Sequence, residues 1–181
     1  MNRYLVLLRG INVGGRNIIR MQDLIKCIEA SDFANVTTYI QSGNILLSSK
    51  SKSIKRLTAT LEFTLAETFD YSAKAVVISK SDYLDALNSA HKNWGRKDGQ
   101  KHNAMFTVGG VDVKQILDDL PAIKKNIETV SCGPGVIFWS ANEERVSEAT
   151  MLKLTKTSNY KMLTVRNHKT TFKLAEMLEQ T

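Results

Sequence analysis

The chain has 181 residues with 25 Lys and Arg against 18 Asp and Glu, a formal net charge of +7. Its 43% hydrophobic and 24% charged content, with ten glycines and two prolines, excludes a disordered or low-complexity chain. The longest apolar run, Tyr4 to Leu8, is too short for a bilayer span or a signal-peptide core, so a membrane role is excluded and the cytoplasm is the expected compartment.

Tyr4-Leu5-Val6-Leu7-Leu8 is bounded by Gly10 and reads as a strand buried on both faces. Met21, Leu24, Ile25 and Ile28 recur at helical spacing and form one apolar stripe. Val36 to Ile40 and Ile45 to Ser48 flank Gln41-Ser42-Gly43-Asn44, which has the composition of a hairpin connection. A second helix is predicted from about Ser53, with Ile54, Leu57, Leu61, Leu65 and Phe69 on one face, before a fourth strand at Ala75 to Ile78. The order β-α-β-β-α-β is the split βαβ, or ferredoxin-like, arrangement.

A helix from Asp82 to about Ala90 leads into a polar segment, His91 to His102, and the order then repeats. A strand at Ala104 to Val108 precedes a helix capped by Asp112 and carrying Val113, Ile116, Leu117 and Leu120. Ile127 to Ser131 and Val136 to Ser140 form a second hairpin around Cys132-Gly133-Pro134-Gly135. A helical stretch near Ser147 to Thr157, a strand at Met162 to Val165 and a helix from about Thr170 complete the chain. The expected fold is therefore α+β: two ferredoxin-like halves with antiparallel sheets and extra helices, over 1–90 and 103–181, joined by the loop 91–102. The third strands superpose at an offset of 91, Ile45 to Ser49 on Val136 to Ser140.

In a split βαβ unit the first two strands run the same way. The end of the first strand and the hairpin after the second therefore belong on one rim of the sheet. That rim holds the most unusual segment, Arg9-Gly10-Ile11-Asn12-Val13-Gly14-Gly15-Arg16-Asn17, beside Gln41, Ser42, Gly43 and Asn44. Gly-x-x-x-x-Gly resembles a P-loop, but Asn17 offers no hydroxyl to magnesium and the helix starts too late. Glycines let backbone N–H groups converge on an anion, and Arg9 and Arg16 add charge-assisted donors. The plainer reading gives the glycines a tight turn, with Asn12 and Asn17 capping it through nearby backbone groups.

Leu7 to Gly15, then Met21, then Thr38-Tyr39-Ile40-Gln41-Ser42-Gly43-Asn44, resemble the signature of a bacterial family known as domain of unknown function 1697. The resemblance extends to a later motif, Thr-x-Arg-Asn-Trp-Asn-Thr in that family. This chain keeps Thr164, Arg166, Asn167 and Thr170, and has His168 and Lys169 in place of Trp and Asn. The resemblance implies a duplicated α+β fold and brings no substrate.

Other constellations are sparse. His91, His102 and His168 lack ligand spacing, so no metal site is expected, and His91 and His102 read as part of a solvated connecting loop. His168 reads as an exposed first-turn residue whose cationic neighbours lower its pKa. Trp94 reads as either an exposed stacking ring or an anchor of its loop, and Trp139 as core or half-buried sheet. Cys27 and Cys132 read as reduced. The sequence nominates no catalytic residue and no cofactor, and leaves the oligomeric state open.

Charge is concentrated in two windows. Residues 1–22 hold Arg3, Arg9, Arg16 and Arg20 with no acid, and residues 149–175 hold Lys153, Lys156, Lys161, Arg166, Lys169 and Lys173 with none. The rest carries 15 bases against 18 acids, which directs the expected partner away from nucleic acid and toward a small anionic ligand, phosphate-bearing or nucleotide-like. The candidate ligand-binding residues are Arg9, Gly10, Asn12, Gly14, Gly15, Arg16, Gln41, Ser42, Gly43, Asn44, Arg166, Asn167 and Thr170. The alternatives are an interaction or scaffold module without catalysis, and backbone-directed nucleic-acid binding through Lys50, Lys52, Lys55 and Arg56.

Overall fold

The computed structural model describes residues 1–15 and 17–180. The chain divides into two units, one comprising Met1–Tyr83 with the chain from Leu174 onward, the other Leu84–Lys173. The segment 91–102, expected to connect the halves, thus falls inside the second unit.

In the first unit, β1 (Asn2–Leu8), β2 (Ala34–Tyr39), β3 (Asn44–Ser49) and β4 (Ala75–Ser79) form a sheet in the order β2-β3-β1-β4. All neighbours are antiparallel. Tyr4, Val6, Leu8, Ile45 and Leu47 alternate onto the face covered by α1 (Met21–Glu29) and α2 (Ile54–Phe69). Leu24 and Ile28 of α1, and Leu57, Leu61 and Leu65 of α2, meet them as the predicted stripes. The Ser53 hydroxyl accepts from the Arg56 N–H and starts α2. Leu5, Leu7 and Leu46 on the opposite face are also inaccessible to solvent, as the unbroken apolar run of β1 requires.

Helix α3 (Lys80–Leu87) ends the first repeat and crosses the unit boundary. In the second unit β5 (Gln100–Thr107), β6 (Glu128–Gly133), β7 (Val136–Asn142) and β8 (Leu163–Asn167) form the same sheet, β6-β7-β5-β8, again antiparallel. Helix α4 (Val113–Asp118) begins where the Asp112 carboxylate accepts from the Lys114 N–H. The second helix of this half is replaced by short 3-10 segments at Val146–Glu148, Thr150–Lys156 and Ser158–Met162. In and at the end of the middle segment Thr155 and Thr157 donate to the carbonyls of Leu152 and Leu154, three residues back, which suits the tighter turn there. Helix α5 (His168–Glu179) starts two residues earlier than expected because the Asn167 side chain accepts from the Thr170 N–H.

The internal superposition is corrected by one residue. At the end of β1 the Leu8 N–H donates to the Gly43 carbonyl, and at the end of β5 the Thr107 N–H donates to the Gly135 carbonyl. Leu7 faces Asn44 as Phe106 faces Val136, so the third strands match at 92 rather than 91. A one-residue slip would exchange the two faces of a strand. The corrected register puts Ile45 and Leu47 on Ile137 and Trp139, all of them in their units' helix-covered cores.

Candidate functional site

The rim predicted for the first unit is formed. Leu8 bonds to Gly43, and Arg9 N–H donates to the Lys74 carbonyl. The Tyr71 hydroxyl donates to the Arg9 carbonyl, so the loop leaves β1 from a fixed point. Asn12 then ties the loop down. Its amide donates to the carbonyls of Ile19 at 3.0 Å and Gln41 at 2.9 Å, and its carbonyl oxygen accepts from the Ile19 N–H at 2.8 Å. Asn17 donates from Nδ2 to the Gly10 carbonyl at 2.8 Å, and its own carbonyl accepts from the Asn12 N–H. The side chain of Asn12 is thereby engaged in holding the loop to the hairpin, and its place in a ligand site is that of a positioning group.

The glycines divide into two kinds. A Cβ on Gly43 would lie 2.5 Å from Ile11 Cγ2 and 2.7 Å from Leu8 Cβ, so Gly43 is required by the close approach of loop and hairpin. Gly10, Gly14 and Gly15 also have positive φ, yet a Cβ on any of them would meet nothing within 4 Å. They leave backbone accessible on an open surface. Asn44 is fully buried, donating to the Tyr39 carbonyl and the Ser42 hydroxyl, which closes the hairpin. The Gln41 side chain is exposed on the same rim and Arg9 is half-buried there. Arg16 lies outside the described residues.

The duplication supplies an internal comparison. In the second unit β5 and α4 are joined by residues 108–112, five residues, whereas β1 and α1 are joined by residues 9–20, twelve residues. The topology therefore needs no more than the shorter connection. The shorter one carries an acid, Asp112, and no base, while the longer carries three arginines and no acid. Its hairpin partner, Gly133-Pro134-Gly135, lines a small recess of about 260 Å³ with Thr107 and Asp112.

The C-terminal motif residues all lie in the second unit. Arg166 is buried, and its Nη1 donates to the Thr164 hydroxyl at 2.9 Å and the Val165 carbonyl at 2.8 Å. Asn167 caps α5 through the N–H of Thr170, which is itself buried. The Arg166 bonds stay within β8, and the Asn167 cap joins the end of β8 to the start of α5.

Sequence reasoning missed a cluster in the second unit. His102 and Ser140, opposite each other on β5 and β7, are both buried, contrary to the solvated loop expected for His102. Ser140 Oγ lies 2.5 Å from His102 Nδ1 and 2.8 Å from His91 Nε2, and His102 Nε2 lies 3.1 Å from the Lys97 carbonyl. A carbonyl only accepts, so His102 carries a proton on Nε2. With only that nitrogen protonated, the ring accepts the Ser140 hydroxyl proton at Nδ1, and the Ser140 oxygen accepts from His91. The His168 ring packs edge-on to His102 at 5.3 Å, so it is not the free surface residue expected. Burial, then repulsion from His102 whenever that ring is protonated, hold both His91 and His168 below the ordinary imidazole range; at His168 a bond to the His102 backbone partly offsets this, and Lys169 is the smallest contributor.

Trp94 is buried against Phe138 and Phe172, which makes it the anchor rather than the stacking ring. The available signal was period-2 alternation: His102 shares a strand face with Ala104 and Phe106. Among the described residues, no group of three His, Cys, Asp or Glu is placed to hold a metal ion, and no helix is long and apolar enough to cross a membrane.

A family model described as protein of unknown function (DUF1697) matches residues 1–138. The chain belongs to that family. Among solved structures, conserved bacterial protein SP0830 from Streptococcus pneumoniae superposes with a TM-score of 0.87 at 32% identity, covering 98% of each chain. No curated protein matches. In this DUF1697 member the residues that carry the resemblance, Leu7 to Gly15 and Thr38 to Asn44, are therefore the two sides of one latched rim.

Proposed function

We propose that the first-unit rim binds a small anion, with Arg9 and the exposed backbone of Gly10, Gly14 and Gly15 as donors. Gln41 and Ser42 bound the site on the hairpin side. The observation that carries this reading is the twelve-residue connection where the same fold closes its twin with five. Extra chain that is tied down by Asn12, open at three glycines and free of acids is suited to cradling negative charge. Arg166, Asn167 and Thr170 belong to the second unit, and the proposal rests on the rim alone. Among the described residues of the loop and hairpin there is no His, Cys, Asp or Glu to activate Ser42, which favours binding or electrostatic stabilisation over covalent chemistry.

Nucleic-acid reading from a sheet face is the weaker alternative, because Leu5, Leu7 and Leu46 offer neither exposure nor aromatic rings. A scaffold role has no observation of its own that favours it over ligand binding.

Thermal shift and calorimetry with phosphate, pyrophosphate and mononucleotides test the proposal. Stabilisation that is lost in Arg9→Ala and kept in Lys52→Ala supports it. No response to any anion, with Arg9→Ala folded like the parent, refutes it. Salt-sensitive retention on bulk RNA, or a dimer broken by rim substitutions, would promote the alternatives instead.

A further inference from the structure

Three branched aliphatics stand exposed around this rim: Val13 at 63%, Ile18 at 75% and Ile40 at 50%. Asn12 gathers them, since Val13 follows it in the chain and Ile18 and Ile40 each precede a residue whose backbone bonds to its side chain. Single exposed aliphatics are ordinary; here three flank the residues that one Asn12 side chain ties together.

Ile40 adds an independent observation. It sits at φ +48, a left-handed conformation in which a β-branched residue is strained and where Gly or Asn would be at ease. It is half exposed, so core packing does not repay the strain, and the turn chemistry would be better served by another residue. The five-residue connection of the second unit contains two aliphatics, Val108, which is buried, and Val111, partly buried against its own core. The exposed patch is therefore a property of the longer loop and its hairpin.

A cationic, glycine-lined centre edged by aliphatic side chains matches a ligand with a charged head and an apolar tail. We propose that the rim takes an amphiphilic anion. A phosphate or carboxylate head meets Arg9 and the glycine backbone, and an aliphatic chain lies across Val13, Ile18 and Ile40. This deepens the anion reading above and rests on it. The occupant is a single dispersed molecule, for which one small cationic centre suffices.

The test compares inorganic phosphate, butyl phosphate and octyl phosphate by calorimetry below the aggregation concentration, with vesicles of neutral and anionic phospholipid as a separate arm. Octyl phosphate is expected to bind at least tenfold more tightly than butyl phosphate. Ile18→Ser and Ile40→Asn should each cut that preference at least threefold while inorganic phosphate affinity changes less than twofold. Ile40→Asn relieves the strained backbone, so its melting temperature should equal or exceed that of the parent. A loss of chain preference in that variant therefore reports on binding, not on misfolding.

Equal affinity for phosphate and octyl phosphate overturns the amphiphile proposal and leaves the anion reading standing. Absence of binding to every phosphate overturns both. An alkyl preference unchanged in the Ile18→Ser, Ile40→Asn double variant, or binding to anionic vesicles without binding to dispersed octyl phosphate, also overturns it.

Discussion

Replacing Asn12 with Asp keeps the shape of the side chain and the oxygen that accepts from the Ile19 N–H, but turns its two donations, to the Ile19 and Gln41 carbonyls, into oxygen–oxygen contacts. Each lost bond costs about 0.5–1.5 kcal/mol net, so the pair is worth about 1–3 kcal/mol, with the lower half of that range expected at a half-exposed residue. Asn12→Ala loses all three bonds. It also places alanine at φ +52, which adds about 1–2 kcal/mol because a Cβ without a polar group gains nothing in the left-handed region.

Amide hydrogen exchange reads the difference locally. Exchange should accelerate at Leu8 and at 40–44 in both variants, by about tenfold for each 1.4 kcal/mol lost. The Ile19 amide, which keeps its acceptor in Asn12→Asp, should lose protection strongly only in Asn12→Ala. Ile19 exchange as slow in Asn12→Ala as in the parent would refute the claim that Asn12 latches the loop.

Glu128 is buried and accepts from Trp139 Nε1 at 2.9 Å and from the N–H groups of Thr150 at 2.6 Å and Met151 at 3.2 Å. Truncation to Ala leaves those donors without a partner and should destabilise the second unit by several kcal/mol, on the order of 4. Both tryptophans, Trp94 and Trp139, belong to that unit, so urea denaturation followed by tryptophan fluorescence reports on it specifically. Burial raises the Glu128 pKa, but the bonds from Trp139, Thr150, Met151 and Lys124 outweigh it and the net shift is downward. Its contribution is therefore present above the ordinary carboxylate range and lost as pH falls through the lowered value, a pH dependence that Glu128→Gln should remove. His91 and His168 are also lowered, so the native state resists their protonation and their contribution is complete above about pH 6.5. The same fluorescence midpoint should fall as pH drops from 7 toward 5, above the Glu128 window, and flatten in a His91→Gln, His168→Gln variant. A flat parent profile across that interval would contradict the packing described for the cluster.

What was legible in the chain was local. The apolar run of β1 and the stripes of α1 and α2 gave the element order. Ser53, Asp112 and the Gln41 to Asn44 turn gave the boundaries, because periodicity and capping act within one or two turns of chain. The common rim of the Arg9 loop and the hairpin also followed, since strand direction fixes which ends lie together.

Neighbours in space decided the rest. Asn12 is an ordinary loop residue until Ile19 and Gln41 are set around it, and Gly43 differs from Gly14 only because Leu8 and Ile11 press on it. His102 and Ser140 lie 38 positions apart, and only the register of β5 against β7 sets them face to face. Sequence alone thus determined the α+β class, the duplication and the position of the rim. Only the tertiary structure separated the glycines that pack from those that open, set Val13, Ile18 and Ile40 about one knot, and brought the histidines together around the buried His102. The reason is that hydrogen-bond partners and burial depend on which strands pair and in what register, and a one-residue shift that local pattern barely registers reverses every side chain on a strand.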